Sequence, residues 1–357
     1  MRSLKVRLIG DCYIDAALMK ECFQEWVDMG CDVKELDWGI PNMSELSTLN
    51  LKLEQEGAEA VPLPQHVLDF VKDADILITQ FTPVNQQLVD NAPNLKAVGT
   101  VRAGFENINV EALSKRGIMF FNNPGRNAHA VADFSVAMML AENRNIARSH
   151  AALMKGDWRK NYENLEFNHD FFESVCGIVG FGIIGQLVAK KLSGFDMKLL
   201  AYDPFVSQEV AEQYNVKLVD LDTLVKESDF ITVNARLAED NYRMISAEKI
   251  AMMKPTAIVV NTARSGLIDE PALIKALQEK KIGGAAIDVF DVEPIGADHP
   301  YCKLDNVTLT THLAGTTRHA VSKAAQRLAR EMGKMLQGGK PFTQMNKEAV
   351  PFKTLNI

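Results

Sequence analysis

Short apolar runs alternate with amphipathic stretches along most of the chain. In the first third, the runs at 6–9, 33–36, 76–79, 96–99 and 118–121 predict strands, and the patterns at 16–29, 67–72 and 110–116 predict helices between them. Alternation of this kind predicts a parallel, doubly wound sheet. The polar, acidic piece 38–64 reads as a surface excursion with a helix over 44–55. The turn signal Asn122-Asn123-Pro124-Gly125 precedes a helical pattern over 128–149. Val131, Phe134, Met138, Met139 and Leu140 make that helix apolar around much of its circumference, which predicts burial between domains or against a second subunit. The domain hinge is placed here. A second series of strands is predicted at 175–180, 198–202, 216–219, 230–233, 257–261, 284–288 and 307–310, with helices such as 271–279 among them. That is a Rossmann-type rhythm. A last helix over 316–336 spaces Val321, Ala325, Leu328, Met332 and Met335 on one face, and the stretch from Gly338 reads as a tail.

One junction carries more than a structural signal. The uncharged run at 175–179 leads into Gly180-Phe181-Gly182-Ile183-Ile184-Gly185 and an amphipathic segment at 186–192. Glycines at a strand-to-helix turn let backbone N–H groups reach a pyrophosphate, whose charge the helix dipole favours. A lone G-x-G-x-x-G is weak. Here the strand, the helix and an acid at the end of the next strand are all present. That acid, Asp203, lies eighteen positions after Gly185. It suits a hydrogen bond to an adenosine ribose 2′-OH and repels a 2′-phosphate, which favours NAD over NADP. As a lone residue before Pro204 it would equally be a turn acid.

Composition narrows the partners. The chain has 357 residues, enough for two domains with their own cores. A net charge of −7 argues against a nucleic-acid or anionic-membrane surface. No apolar segment approaches the roughly 20 residues that span a bilayer, and the first residues read as a strand rather than a signal peptide. Five scattered cysteines, Cys12, Cys22, Cys31, Cys176 and Cys302, read as reduced thiols in a cytoplasmic protein, with no metal site.

Three later strand ends carry chemistry. Arg264 follows the strand at 257–261, and its planar fork suits a carboxylate; the plainer alternative is a pair with Asp269 or Glu270 across the turn. Asp288 and Glu293-Pro294 follow the next strand, and His312 follows the last, before Gly315. Singly these read as turn acids and a core or capping histidine. Delivered to one sheet edge, they form a carboxylate clamp, an acid–base group and a carboxylate able to polarise it.

With these pieces the chain resembles the D-isomer-specific 2-hydroxyacid dehydrogenase family, which includes 3-phosphoglycerate dehydrogenases. The matching pieces are the glycine loop with Asp203, Asn261-Thr262-Ala263-Arg264, Asp288 with Glu293-Pro294, and Thr311-His312 before Gly315. Upstream, Arg102-Ala103-Gly104, Asn107-Ile108-Asn109, Pro124-Gly125, Val131-Ala132-Asp133 and Gly156-Asp157-Trp158 also resemble family landmarks. The resemblance implies a Rossmann NAD domain inserted into a flavodoxin-like substrate domain, both doubly wound α/β sheets. It divides the chain into 1–125 and 314–340 for the substrate domain, 126–313 for the NAD domain and 341–357 as a tail. On this division only a short tail is expected after the returning helix, without the serine-sensing domain of some relatives.

The resemblance also implies roles. Arg264, Glu293 and His312 would be catalytic. Gly180, Gly182, Ile183, Ile184, Gly185, Asp203, Ala235, Thr262, Ala263, Asp288, His312 and Gly315 would bind NAD. Arg102, Ala103 and Gly104, with Arg264 and His312, would bind a 2-hydroxy or 2-keto acid. The helix at 128–149 and the segment of Trp158 resemble the family's dimer interface, so a homodimer is expected. The alternative is an NAD(H)-sensing protein like the family's corepressor relatives. Departures fall around the core motifs. Ser265 stands for a usual glycine and Ile183 for a common arginine. Phe105-Glu106-Asn107 makes a shorter loop, and the strand end Asn234-Ala235-Arg236-Leu237 lacks a usual histidine and proline. Arg126 is also unusual, and reads as a solvated residue at a helix start.

Overall fold

The computed structural model describes residues 3–341 and 343–351, without the side chains at 166, 318, 319, 321 and 322. The chain forms two compact units, Met1–Asn127 with Thr317–Ile357, and Ala128–Thr316.

The first unit has five strands: β1 (Lys5–Gly10), β2 (Asp32–Asp37), β3 (Ile76–Thr79), β4 (Ala97–Thr100) and β5 (Met119–Phe121). All pair in parallel in the order β2-β1-β3-β4-β5, the flavodoxin-like order. Successive side chains point to opposite faces, so each strand feeds two cores. Leu8, Ile76 and Ile78 join one cluster, while Ile9, Leu77 and Val98 join the other. The helix Arg318–Leu336 covers the first face with Ala325, Leu328, Met332 and Met335, and the Trp26 indole donates to Ala329 O at 3.1 Å. The side chain of Val321, expected on that face, is outside the described residues. At β4, Gly99 leaves the room that the Met332 sulfur fills.

The second unit has seven strands: β6 (Val175–Val179), β7 (Lys198–Tyr202), β8 (Val216–Leu218), β9 (Phe230–Val233), β10 (Ile258–Asn261), β11 (Gly284–Ile287) and β12 (Val307–Leu309). They pair in parallel as β12-β11-β10-β9-β6-β7-β8, a Rossmann order extended by one edge strand. The order reverses between β6 and β9, so the glycine loop after β6 lies at the switch point where such sheets bind ligands. The apolar helix Ala128–Asn143 is buried within this unit. Its Ala132, Val136 and Met139 share a cluster with Val188, Ala189 and Leu192 of the helix Ile183–Leu192.

Three elements differ from their periodicity. The pattern at 16–29 breaks at buried Phe23 into Ala16–Cys22 and Gln24–Asp28. The helix expected over 128–149 stops at Asn143, passes through left-handed Asn145 (φ 55°) and resumes as Ile146–Leu153. The break turns Arg148 back onto the fully buried Glu142, with both terminal nitrogens 2.9 Å from its carboxylate. Thr308 supplies a further donor to that carboxylate at 2.7 Å. A buried charge needs such partners, and hydropathy does not record them. The aperiodic stretch after Gly338 lies against β5: Met345 N donates to Phe120 O at 2.9 Å, and the Asn346 amide bonds Phe120 N and Ile118 O at 3.0 and 2.9 Å. Polar side-chain bonds of this kind leave no apolar period.

Candidate active site

The loop after β6 is shaped by what its glycines lack. Gly180 has φ 90°, its N–H donates to Tyr202 O at 2.8 Å, and an added methyl would overlap the Ala235 backbone. A methyl at Gly185 would overlap Gly180 O. At Gly182 it would meet nothing within 4 Å, so this side of the turn is open. Gly182 caps the helix Ile183–Leu192 without a side-chain hydrogen bond, which leaves first-turn N–H groups for an anion. Ile183 is 51% exposed beside it, while Ile184 packs against the core. Asp203 accepts from Phe181 N at 2.8 Å and from Phe205 N at 2.9 Å. It therefore makes the turn bond expected of an acid before proline and also holds the glycine loop. Gly180→Ala is expected to cost at least about 1–2 kcal/mol from the left-handed backbone alone, and to weaken dinucleotide binding. A melting temperature and NADH affinity matching wild type would refute this account of the loop.

The ends of β10, β11 and β12 bring Arg264, Glu293 and His312 together. His312 Nδ1 lies 2.8 Å from Glu293 Oε2, and Phe290 N donates to Glu293 Oε1 at 2.9 Å. An ionised glutamate fixes the proton on Nδ1 and leaves Nε2 as the exchanging nitrogen. The bond to Glu293 raises the His312 pKa above its usual value, against burial and the charge of Arg264. Burial pushes Glu293 up, but its bonds to His312 and Phe290 and the Arg264 charge outweigh this and leave it lowered. Arg264 thus acts on both partners.

Arg264 is placed by a locked turn. Asn261 accepts from Ala263 N and donates to Arg264 O, each at 3.0 Å, and Thr262 shares a 2.6 Å hydroxyl bond with Ser135. The Arg264 guanidinium donates to Ala263 O at 2.8 Å. The acids that would have paired with it are taken: Asp269 caps the helix Glu270–Gln278, and Glu270 accepts from Asp291 N at 3.2 Å. Ser265 begins the short turn Ser265–Leu267 and needs no left-handed backbone, so the side chain is accommodated.

His312 itself is left-handed, with φ 55°. Asp288 holds it there. The His312 N–H donates to Asp288 O at 2.9 Å, and the fully buried Asp288 carboxylate accepts from Thr310 Oγ1, Leu313 N and Ala314 N at 2.6, 2.8 and 2.9 Å. Strained backbone of this kind persists only where surroundings over-determine it, and it clusters at functional sites. Gly315 lies in the turn closed by Thr316 N and Leu313 O at 2.8 Å. Thr310 and Ser135 carry no role legible in the sequence beyond, for Ser135, being the one polar residue in the apolar run 134–140.

The first unit carries the Arg102-Ala103-Gly104 segment, after β4. The Arg102 guanidinium lies 4.4 Å from the centre of the Phe81 ring and donates to Asn50 at 2.7 Å and Glu54 at 3.2 Å. Asn122 donates to Ala103 O at 2.7 Å. The short loop is anchored by Phe105 edge-on to Phe120 and by buried Asn107, which donates to Gln80 O and Thr82 O.

A glycine loop at the switch point of a Rossmann sheet, with a histidine–glutamate pair and an arginine on the same edge, defines a dinucleotide-dependent oxidoreductase. Residues 136–314 match the family model for the D-isomer specific 2-hydroxyacid dehydrogenase, NAD binding domain. The chain belongs to that family of NAD-dependent oxidoreductases. It is 39% identical over 82% of its length to a D-3-phosphoglycerate dehydrogenase of Methanocaldococcus jannaschii, of which it spans 55%. It is 36% identical over 82% of its length to a glyoxylate reductase of Korarchaeum cryptofilum, of which it spans 89%. The NAD-complexed D-isomer specific 2-hydroxyacid dehydrogenase of Lactobacillus delbrueckii ssp. bulgaricus shares the fold, with a TM-score of 0.76 at 22% identity and coverage of 96% and 100% of the two chains.

Proposed function

We propose that this chain interconverts a 2-keto acid and a D-2-hydroxy acid, with NAD(H) as redox partner. The carrying observation is the 2.8 Å bond between His312 and Glu293 within the field of Arg264. The open side of Gly182 and the uncapped helix start fit a pyrophosphate, with Gly180, Ile183, Ile184 and Gly185 around it. Asp203 would meet the ribose, and Ala235, Thr262, Ala263, Asp288 and Gly315 would line the remainder. Bound NADH supplies a hydride to C2 of the keto acid. Arg264 would hold the substrate carboxylate and C2 oxygen; the Arg102-Ala103-Gly104 segment of the first unit keeps the substrate-binding role that the resemblance implies. His312 Nε2 would give its proton to the C2 oxygen, and Glu293 would stabilise and orient the imidazolium.

Five free cysteines suit the reducing cytoplasm, and no helix among the described residues is long and apolar enough to cross a membrane. Ile146, Leu153, Met154 and Trp158 are exposed on and after the helix Ile146–Leu153, as a homodimer interface there would require. The test is NADH oxidation across 2-keto acids that include glyoxylate, pyruvate, phosphohydroxypyruvate and longer aldonic derivatives. Turnover with NADH preferred over NADPH is expected. Tight NADH binding with no turnover of any acid would overturn the reading in favour of a sensing protein.

A further inference from the structure

Glu293 meets His312 from a segment without regular structure. Between β11 and the short turn Pro300–Lys303, residues 288–299 form neither helix nor strand, and Val292 beside Glu293 is exposed. Sheet hydrogen bonds therefore do not set where the Glu293 carboxylate lies. Two successive N–H groups just before it do. Phe290 N donates to Glu293 Oε1 at 2.9 Å, and Asp291 N donates to Glu270 Oε2 at 3.2 Å. The first bond is internal to the turn. The second ties the turn to the helix Glu270–Gln278, which begins just after the Arg264 turn.

Glu270 is only 8% exposed, and a buried carboxylate is unfavourable unless partners meet it. Its own helix does not need it as a cap, because Asp269 already accepts from Ala272 N at 3.3 Å. The groups that Glu270 meets lie outside that helix. Besides Asp291 N, His299 Nε2 stands 3.6 Å from Glu270 Oε1. His299 Nδ1 accepts from Tyr301 N at 3.3 Å, so the neutral ring carries its proton on Nε2, facing Glu270. The rings of His299 and Tyr301 lie 6.0 and 6.2 Å from that of Phe290, whose N–H holds Glu293. Arg243 stands at the outer side, 3.7 Å from Asp269 and 3.8 Å from Asp291. Burial and the Asp291 charge raise the Glu270 pKa, opposed by the Asp291 N–H and His299.

We infer that Glu270 is a positioning residue for the reaction: its grip on Asp291 N fixes the turn that presents Glu293 to His312. The inference rests on the reading of Glu293 and His312 as the acid–base pair. It is tested by kcat and its pH profile for reduction of the keto acid that wild type turns over fastest. A small misplacement of a reacting group is costly, so Glu270→Ala is expected to lower kcat roughly tenfold or more with NADH affinity kept. Its reductive limb should move to lower pH, as loss of the Glu293 contact would move it. Glu270→Gln removes the charge but keeps an acceptor at the same reach, and is expected to restore the limb and most of the rate. Glu270→Asp keeps the charge at a shorter reach and should follow the alanine variant; it carries the comparison if that variant does not fold. In a Glu293→Gln background, removing the Glu270 acceptor should cost less than about twofold more, because both changes undo one arrangement. A wild-type limb in the alanine and aspartate variants overturns the inference. So does a glutamine variant shifted as far as alanine, which would mark a direct effect of charge, or a fully additive loss in the Glu293→Gln background. In each case the effect of Glu293→Gln by itself still supports the acid–base reading. If Glu293→Gln and His312→Asn both leave rate and profile unchanged, the reading beneath the inference falls, and the inference with it.

Discussion

Replacing His312 by asparagine is expected to lower kcat for keto-acid reduction by about 10²–10⁴-fold, the range for loss of a positioned general acid. NADH affinity, measured by fluorescence, should change far less, because the glycine loop is untouched. The pH profile carries the second half of this expectation. Reduction needs the protonated imidazole, and Glu293 raises the His312 pKa. The rate is therefore sustained above the usual histidine value of about 6.5 and falls as pH rises through the raised pKa. Oxidation of the hydroxy acid needs the neutral imidazole and rises over the same interval. Glu293→Gln removes the largest raising influence and leaves burial and Arg264, which lower the pKa, against the smaller raising charge of Asp288. Its reductive limb should move to lower pH. A reductive profile at the same position in Glu293→Gln, or a His312→Asn enzyme within threefold of wild type, would contradict the assignment.

The second large effect is expected at Arg264. Arg264→Ala removes the charge that acts on both Glu293 and His312. It also removes the fork assigned to the substrate carboxylate. A lost charge-assisted bidentate contact at a reacting centre corresponds to roughly 10²–10³-fold in kcat/KM. Because Arg264 lowers the His312 pKa, its removal should also shift the reductive limb to higher pH, opposite in sign to Glu293→Gln. Arg264→Lys keeps the charge but cannot make the planar two-point contact, so most of the kcat/KM loss should remain while the pH shift disappears. Equal kinetics for Arg264→Lys and wild type would show that the fork is not used.

Strand positions were legible because buried parallel strands are continuous apolar runs bounded by turn residues. The runs at 76–79, 198–202 and 230–233 coincide with β3, β7 and β9. Glycines of the loop were legible because only their spacing next to a strand is needed to identify a phosphate turn. The break at Asn145 was not, because its cause is a buried Glu142–Arg148 pair, and the packing of residues 343–350 against β5 rests on amide hydrogen bonds. Neither has a hydropathy period. Asp288 was assigned from sequence to the cofactor. Its carboxylate is taken up by three donors that hold the left-handed His312, a connection that spans 25 residues and has no local pattern.

The order of strands and helices, the glycine loop and the residue types at each strand end are local properties, and the sequence alone determines them. Which of those strand ends meet is set by sheet order, and only the tertiary structure decided it. Parallel pairing places the ends of β10, β11 and β12 side by side and puts the turn after β6 at the reversal of strand order. Protonation is decided at that level too, since His312 takes its raised pKa from a carboxylate nineteen positions away in the chain and 2.8 Å away in space. Arg126 makes the same point from the other unit: beside Pro124-Gly125 it reads as a solvated residue, and folding buries its Nη1 away from solvent. A side chain's chemistry depends on the solvent and charges around it, and those are supplied by residues remote in the chain.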